Sequence, residues 1–149
     1  MKRAMRVALG TGVVISSVAA FGIGASSVLA PQPAPLTRTQ FAGALAALDA
    51  QRENVLARCE ERPAADRELC RAKAAAGELV RTADLEADFR RTQDAARGAQ
   101  RARVEARYFI ERAKCGLAGG AKRDRCLISA HAARGSALLE LAAGYDNRS

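Results

Sequence analysis

The sequence predicts an all-α fold of two disulfide-stapled αα-hairpins, forming either a four-helix bundle or an extended antiparallel helical array. Apolar residues recur at intervals of three and four through most of residues 37–145, which is the periodicity of one helix face. No segment shows the alternation with period two that marks a strand. Cys59 and Cys70, and again Cys115 and Cys126, have ten residues between them, at points where the helical pattern breaks.

Residues 1–30 have the three parts of a secretory signal peptide: a basic start, an uncharged apolar run and small residues at a cleavage position. The basic residues are Lys2, Arg3 and Arg6. We therefore expect export to the periplasm with cleavage after Ala30. An uncleaved inner-membrane anchor is the alternative, because the uncharged stretch 7–30 is long enough to span a bilayer.

The composition argues for a small, thin-cored domain without a nucleic-acid partner. The formal net charge is +8, and removal of the three basic residues of the signal leaves +5, which is only mildly basic. Export also separates the chain from cytosolic nucleic acids. The chain has no Trp and much alanine, which favours helix but buries little apolar surface.

The first hairpin is predicted over residues 37–83, after a Pro-rich disordered segment at 31–36. Thr37 and Gln40 have the spacing of a capping box, which predicts a helix start. This helix should run to about Cys59, because the pattern breaks just before a proline. Asp66 is the expected cap of the second helix.

The second hairpin is predicted over residues 84–145, after a short break at 82–84. Its first helix should be the longest, from about Leu85 to Cys115, and should end at the glycines that follow. A fourth helix then completes the hairpin, and residues 146–149 form a disordered tail.

The two halves align at an offset of 56 residues, which matches Cys59 with Cys115 and Cys70 with Cys126. We interpret this as duplication of one helix-loop-helix unit. Four cysteines allow three pairings; the local one fits best, because the ends of a tight hairpin bring Cα atoms within the disulfide range of about 4.4–6.8 Å.

Other uses of the cysteines fit the spacing less well. A redox pair is normally Cys-x-x-Cys beside a βαβ unit, and a four-Cys zinc site has ligands two to four residues apart. Neither pattern occurs here. Structural cross-links in an oxidising compartment are therefore the preferred interpretation.

The stretch "YFIERAKCGLAGGAKRDRCLISAHAA" resembles a repeat in uncharacterised small exported proteins of Gram-negative bacteria. The matching residues are Tyr108, Cys115, Gly120, Arg123, Asp124, Cys126 and Ala130. The first half departs from the pattern, with Arg52 at the Tyr position and Ala64 at the Gly position. The resemblance implies export and a helical hairpin but no activity.

The segment "LTRTQ" resembles the Leu-Thr-x-x-Gln signature of the Spy and CpxP periplasmic proteins. That family carries the signature twice, and this chain carries it once. The single copy is also accounted for by the predicted helix cap of Thr37 and Gln40.

The sequence carries no recognisable catalytic, cofactor-binding or metal-binding motif, so we expect a protein that is not an enzyme. His131 is the only histidine and flanks the inner face of the fourth helix. We expect it to be a surface residue rather than a metal ligand or a catalytic base.

Basic residues of the third helix could contact an anionic envelope surface. They are Arg97, Arg101, Arg103 and Arg107. Asp94 and Glu105 interrupt them, and local pairing of charges at helical spacing is the simpler interpretation.

The function we predict is that of a non-enzymatic structural or interaction protein of the cell envelope, with a protein partner or self-association through its alanine-rich faces. A Spy-like periplasmic chaperone or envelope-stress protein is the alternative. A thiol redox or metal-binding protein is a third hypothesis, and it depends on the cysteines alone.

Overall fold

The computed structural model describes residues 34–146, with side chains through residue 144, and every regular element there is an α-helix. The helices are α1 (Arg38–Glu60), α2 (Ala64–Arg90), α3 (Gln93–Cys115) and α4 (Gly120–Asp146). The all-α prediction is confirmed. The predicted signal peptide at residues 1–30 lies outside the described residues, as do residues 147–149 of the predicted tail. Asp146, the predicted start of the tail, ends α4 instead.

The start of α1 is fixed by the predicted capping box. The backbone N–H of Gln40 donates to the hydroxyl of Thr37 at 3.2 Å, and the backbone N–H of Thr37 donates to the Gln40 side chain at 2.8 Å. Two N–H groups that the helix itself cannot pair are thereby satisfied. This prediction is confirmed.

The start of α2 differs from the prediction. The helix begins at Ala64, its N-cap is Pro63, and no side chain caps it. Asp66, which we expected to be the cap, lies in the first turn. Proline suits a helix start because its fixed φ is already helical and it lacks an N–H to leave unpaired. The carboxylate of Asp66 still favours this end of the helix through the helix dipole.

The predicted break at residues 82–84 is wrong, and so is the long helix from Leu85 to Cys115. The chain turns instead at Arg91, which has a left-handed φ of 52°. The hydroxyl of Thr92 then accepts from the backbone N–H of Ala95 at 3.2 Å and caps α3. The boundary between hairpins therefore moves from residues 83/84 to residues 91/92.

The helices form the extended antiparallel array, which is one of the two predicted arrangements. Among the four helices, α1 packs on α2, α2 on α3 and α3 on α4, and no other pair is in contact. Phe41 near the start of α1 stacks on Phe89 near the end of α2, with ring centroids 4.4 Å apart. The α2–α3 contact is the most extensive of the three.

The buried residues of the described part are alanines and cysteines. They are Cys59, Ala74, Ala76, Ala99, Ala102, Ala106, Cys115 and Ala130. Burial of one methyl contributes about 0.8 kcal/mol, against about 1.5–3 kcal/mol for a whole Leu or Phe side chain. No Leu, Ile, Val or Phe residue in this part of the chain is buried to the same degree. The core is therefore as thin as the composition predicts.

Two disulfides staple the hairpins, with the predicted local pairing. Cys59 is bonded to Cys70 and Cys115 to Cys126, and the Cα–Cα distance is 5.5 Å in both. Each bond joins the end of one helix to the first turns of the next. Closing a loop of this length stabilises the fold by roughly 3 kcal/mol, which is a large contribution beside so thin a core.

Candidate interaction surface

The cysteines act as cross-links in this structure. Cys59 is 0% and Cys115 is 1% exposed, and within residues 34–146 no cysteine is free. The same residues contain no cluster of three or more His, Cys, Asp or Glu side chains that could hold a metal ion. The candidate site therefore has to be sought in the other side chains.

The arginines of α3 do not form one basic stripe. Arg103 turns toward α2 and donates to Asp84 at 2.7 Å. Arg97 pairs with Asp94 at 3.1 Å within α3. Arg101 lines a recess on the α4 side. Arg97 and Arg103 are thus both paired with acidic residues, as predicted, but the Arg103–Asp84 pair joins α3 to α2.

A polar cluster joins α3 to α4. Arg134 of α4 donates two hydrogen bonds to Glu105 of α3, at 2.6 and 2.7 Å. Its guanidinium carbon lies 5.3 Å from the centroid of the Tyr108 ring. The Tyr108 hydroxyl and His131 Nε2 share a hydrogen bond of 3.1 Å. His131 is exposed as predicted, but its contact with Tyr108 spans two helices and has no signature in local spacing.

The hydrogen bond to Glu105 raises the pKa of Arg134, and the nearby charge of Glu105 adds to this effect. Because the folded-state pKa of Arg134 is raised, the stabilisation linked to its protonation is fully present below the ordinary pKa of arginine and is lost as pH rises through the folded-state value. The Glu105–Arg134 pair is therefore a constant contact between α3 and α4 near neutral pH, and it is not a pH-sensitive switch.

Five of the seven residues that carry the sequence resemblance have identifiable structural roles. Tyr108 belongs to the polar cluster, and Gly120 begins α4 with a left-handed φ of 51° that favours glycine. Ala130 is 8% exposed, in the contact with α3. The two cysteines form the staple. These five roles are structural, and all five residues lie in the hairpin of α3 and α4.

A groove of about 920 Å³ runs between α2 and α3. Its apolar lining consists of Leu79, Ala83, Phe89, Ala95, Ala99 and Ala102. Gly98 also lines it, and a Cβ atom placed there would meet nothing within 4 Å. The floor is shallow because small residues predominate, and it can accept apolar side chains from outside.

Charged residues form the rim of the groove, and most are paired. Glu86 binds Arg90 at 2.8 Å, and Glu105 is held by Arg134. Arg101 lines the groove but makes no ion pair with any residue of the described region. The sequence did not predict this groove. The groove depends on the contact between α2 and α3, and the wrongly predicted break at residues 82–84 gave these helices the wrong bounds.

No protein-family model, curated protein or solved structure matches this chain. None of the described helices has the length and apolar character needed to cross a membrane. The two disulfides indicate an oxidising, extracytoplasmic environment.

Proposed function

We propose that this chain is a non-enzymatic interaction protein of the periplasm that holds an apolar segment of a protein partner in the groove between α2 and α3. The groove carries the proposal: it combines an open apolar floor with a charged rim, which is the usual anatomy of a helix-binding surface. Arg101, the rim cation without an ion pair in the described region, calls for an acidic residue on the partner segment.

The periplasmic location rests on two separate features. Residues 1–30 have the composition of an export signal, and the disulfides fit the oxidising compartment that such a signal leads to. Mass analysis of the protein from its native compartment, with thiols alkylated before handling, tests both. We expect a chain that starts at Pro31 and carries two closed local disulfides.

The groove can be blocked without harm to the fold. Gly98→Gln places a long polar side chain in the groove and also improves helix propensity, so lost binding cannot be ascribed to unfolding. Gly144→Gln is the matched control. Gly144 is a helical glycine of α4 that lies outside the groove, and a Cβ atom placed there would also meet nothing within 4 Å.

The test uses a photo-crosslinking amino acid at Ala95 in the native host. We expect capture of a defined partner that Gly98→Gln abolishes and Gly144→Gln leaves unchanged. The captured segment should be apolar with an acidic neighbour. Capture that is insensitive to Gly98→Gln, or no capture from Ala95, would contradict the proposed site.

A Spy-like chaperone is the second candidate, because an open apolar groove with an arginine on its rim also suits unfolded chains. Suppression of aggregation of a reduced and alkylated model protein at stoichiometric ratio tests it. A chaperone should lose this suppression in Gly98→Gln. If the wild type does not suppress aggregation, the chaperone is excluded and the partner-binding proposal stands.

The third hypothesis, thiol redox or metal chemistry, has the least support, because both disulfides have one fully buried cysteine. A catalytic thiol must be accessible to its substrate. Free or differently paired thiols in the alkylated native protein would restore this hypothesis.

A further inference from the structure

We propose that copies of this chain assemble head to tail, with α4 of one copy packed against α1 of the next. The first observation is an unpartnered apolar stripe on α4. Ile128 is 68% and Leu139 is 73% exposed, and Ala132 and Gly135 between them are exposed as well. Their spacing of four, three and four residues places all of them on one helix face, away from the face that contacts α3.

The helix lengths support an internal equivalence between the two hairpins. α1 and α3 each have 23 residues, and α2 and α4 each have 27. The offset of 56 that aligns the cysteines carries α2 (Ala64–Arg90) onto α4 (Gly120–Asp146) residue for residue. Contacts also correspond. Arg52 pairs with Glu78 at 2.8 Å, and their counterparts Tyr108 and Arg134 lie in contact.

The α4 stripe is the counterpart of the α2 face that packs on α3. Leu79 and Ala83 line the α2–α3 groove, and Asp84 beside them pairs with Arg103. Their counterparts on α4 are Gly135, Leu139 and Glu140, which are all exposed. The surface that α2 uses to bind the next hairpin is therefore present on α4 without a helix against it.

The outer face of α1 corresponds to the α3 side of the α2–α3 contact. Ala99 and Ala102 of α3 are 4% and 7% exposed in the α2–α3 contact. Their counterparts on α1 are Gly43 and Ala46, which are exposed. Each end of the array thus carries one half of the most extensive helix contact in the molecule, and a second copy of the chain supplies the other half.

The two halves are complementary in size. Ala83 and Ala102 face the same groove, so the equivalent register sets Leu139 of one copy against Ala46 of the next. The large side chains of the stripe then meet small residues on α1. Such a contact is heterologous, because it joins two different surfaces, so it produces rings or open chains of copies rather than a closed dimer. Repeat proteins stack their units in this way.

Cysteine cross-linking tests the pairing of the two faces. Leu139→Cys and Ala46→Cys chains, one of them isotopically labelled, are purified with native disulfides intact, mixed and oxidised. We expect mixed dimers, and a ladder of covalent oligomers from a chain that carries both substitutions. Ala133→Cys, an exposed position on the side of α4, is the control and should not cross-link to Ala46→Cys.

A second experiment measures the strength of the contact by sedimentation. Leu139→Glu should weaken association at least about ten-fold, because it removes a large apolar side chain from the contact and adds a buried charge. Leu117→Glu is the matched control, since Leu117 is 55% exposed in the α3–α4 turn and lies outside the contact.

Three results would overturn the proposal: Leu139→Cys chains that cross-link as well alone as with Ala46→Cys, a wild type that is monomeric at millimolar concentration, or equal effects of the two Glu variants. The proposal does not depend on the partner-binding groove. The Leu139→Glu variant should still capture the partner through the crosslinker at Ala95, and the Gly98→Gln variant should still self-associate. Failure of one proposal is therefore distinguishable from failure of the other.

Discussion

Glu105 and Arg134 connect α3 to α4 by two hydrogen bonds within one ion pair. The two residues are 29 positions apart in the sequence, and a contact over that distance is harder to predict from sequence than one within a single helical turn. The capping box of Thr37 and Gln40 was predictable because its partners are three residues apart in one turn. The Glu105–Arg134 pair depends on which helices pack and in what register, and local spacing contains neither.

Replacing one member of this pair should destabilise the hairpin. Arg134→Gln removes both hydrogen bonds and leaves a half-buried carboxylate without its partner. We expect a lower urea midpoint, and the double variant with Glu105→Gln should be little less stable than either single variant. Lys114→Gln is the control, because Lys114 pairs with Glu111 on an exposed helix surface and such pairs contribute little. Additive effects of the two substitutions would contradict the coupling.

The same substitution should have opposite effects at two glycines. Gly98→Ala should raise the free energy of unfolding by about 0.5–1 kcal/mol, because Gly98 is helical and a Cβ atom there meets nothing within 4 Å. Gly120→Ala should lower it by about 1–2 kcal/mol, because φ there is left-handed. Urea unfolding measures both, and a shift in the same direction for both would contradict these backbone assignments.

At the scale of the helices, the sequence predicts that four exist but misplaces the turn between the second and third. Residues 82–84 read as a break between helices, yet Asp84 lies inside α2 and pairs with Arg103. The true turn uses Thr92 as the cap of α3. The predicted break and the true turn lie about ten residues apart. The alanine-rich sequence around both can continue as helix, so local propensity does not choose between them. Packing against α3 decides between them, and sequence periodicity does not report that packing.

The disulfides are expected to contribute much of the stability of each hairpin. The pair Cys59→Ala and Cys70→Ala should lower the free energy of unfolding by roughly 3 kcal/mol, and Cys115→Ala with Cys126→Ala by a similar amount, because the two loops have equal length. Total stability of a domain is only about 5–15 kcal/mol, so reduction of both bonds should cause marked loss of helicity. Urea unfolding of the two variants measures this. Retention of full stability by either would show that its staple is redundant.

At the scale of the whole described unit, the sequence leaves bundle and array as alternatives. Large apolar side chains facing a common centre would favour a closed bundle, but the buried residues here are alanines and cysteines. Such residues let neighbouring helices approach closely without supplying a core that four helices could share. The array also leaves the α2–α3 groove open and the outer faces of α1 and α4 uncovered, which are the surfaces that both proposals use.

The most direct test of this account is the distance between α1 and α4. Spin labels at Gln51 and Ala133, both exposed, are measured by pulsed electron resonance after dilution with unlabelled protein, which removes signals between copies. Three successive helix contacts of about 8–10 Å each predict a separation above about 20 Å. A separation near 10 Å would mean that α1 packs on α4 in a closed bundle, and both the open groove and the head-to-tail assembly would then be wrong.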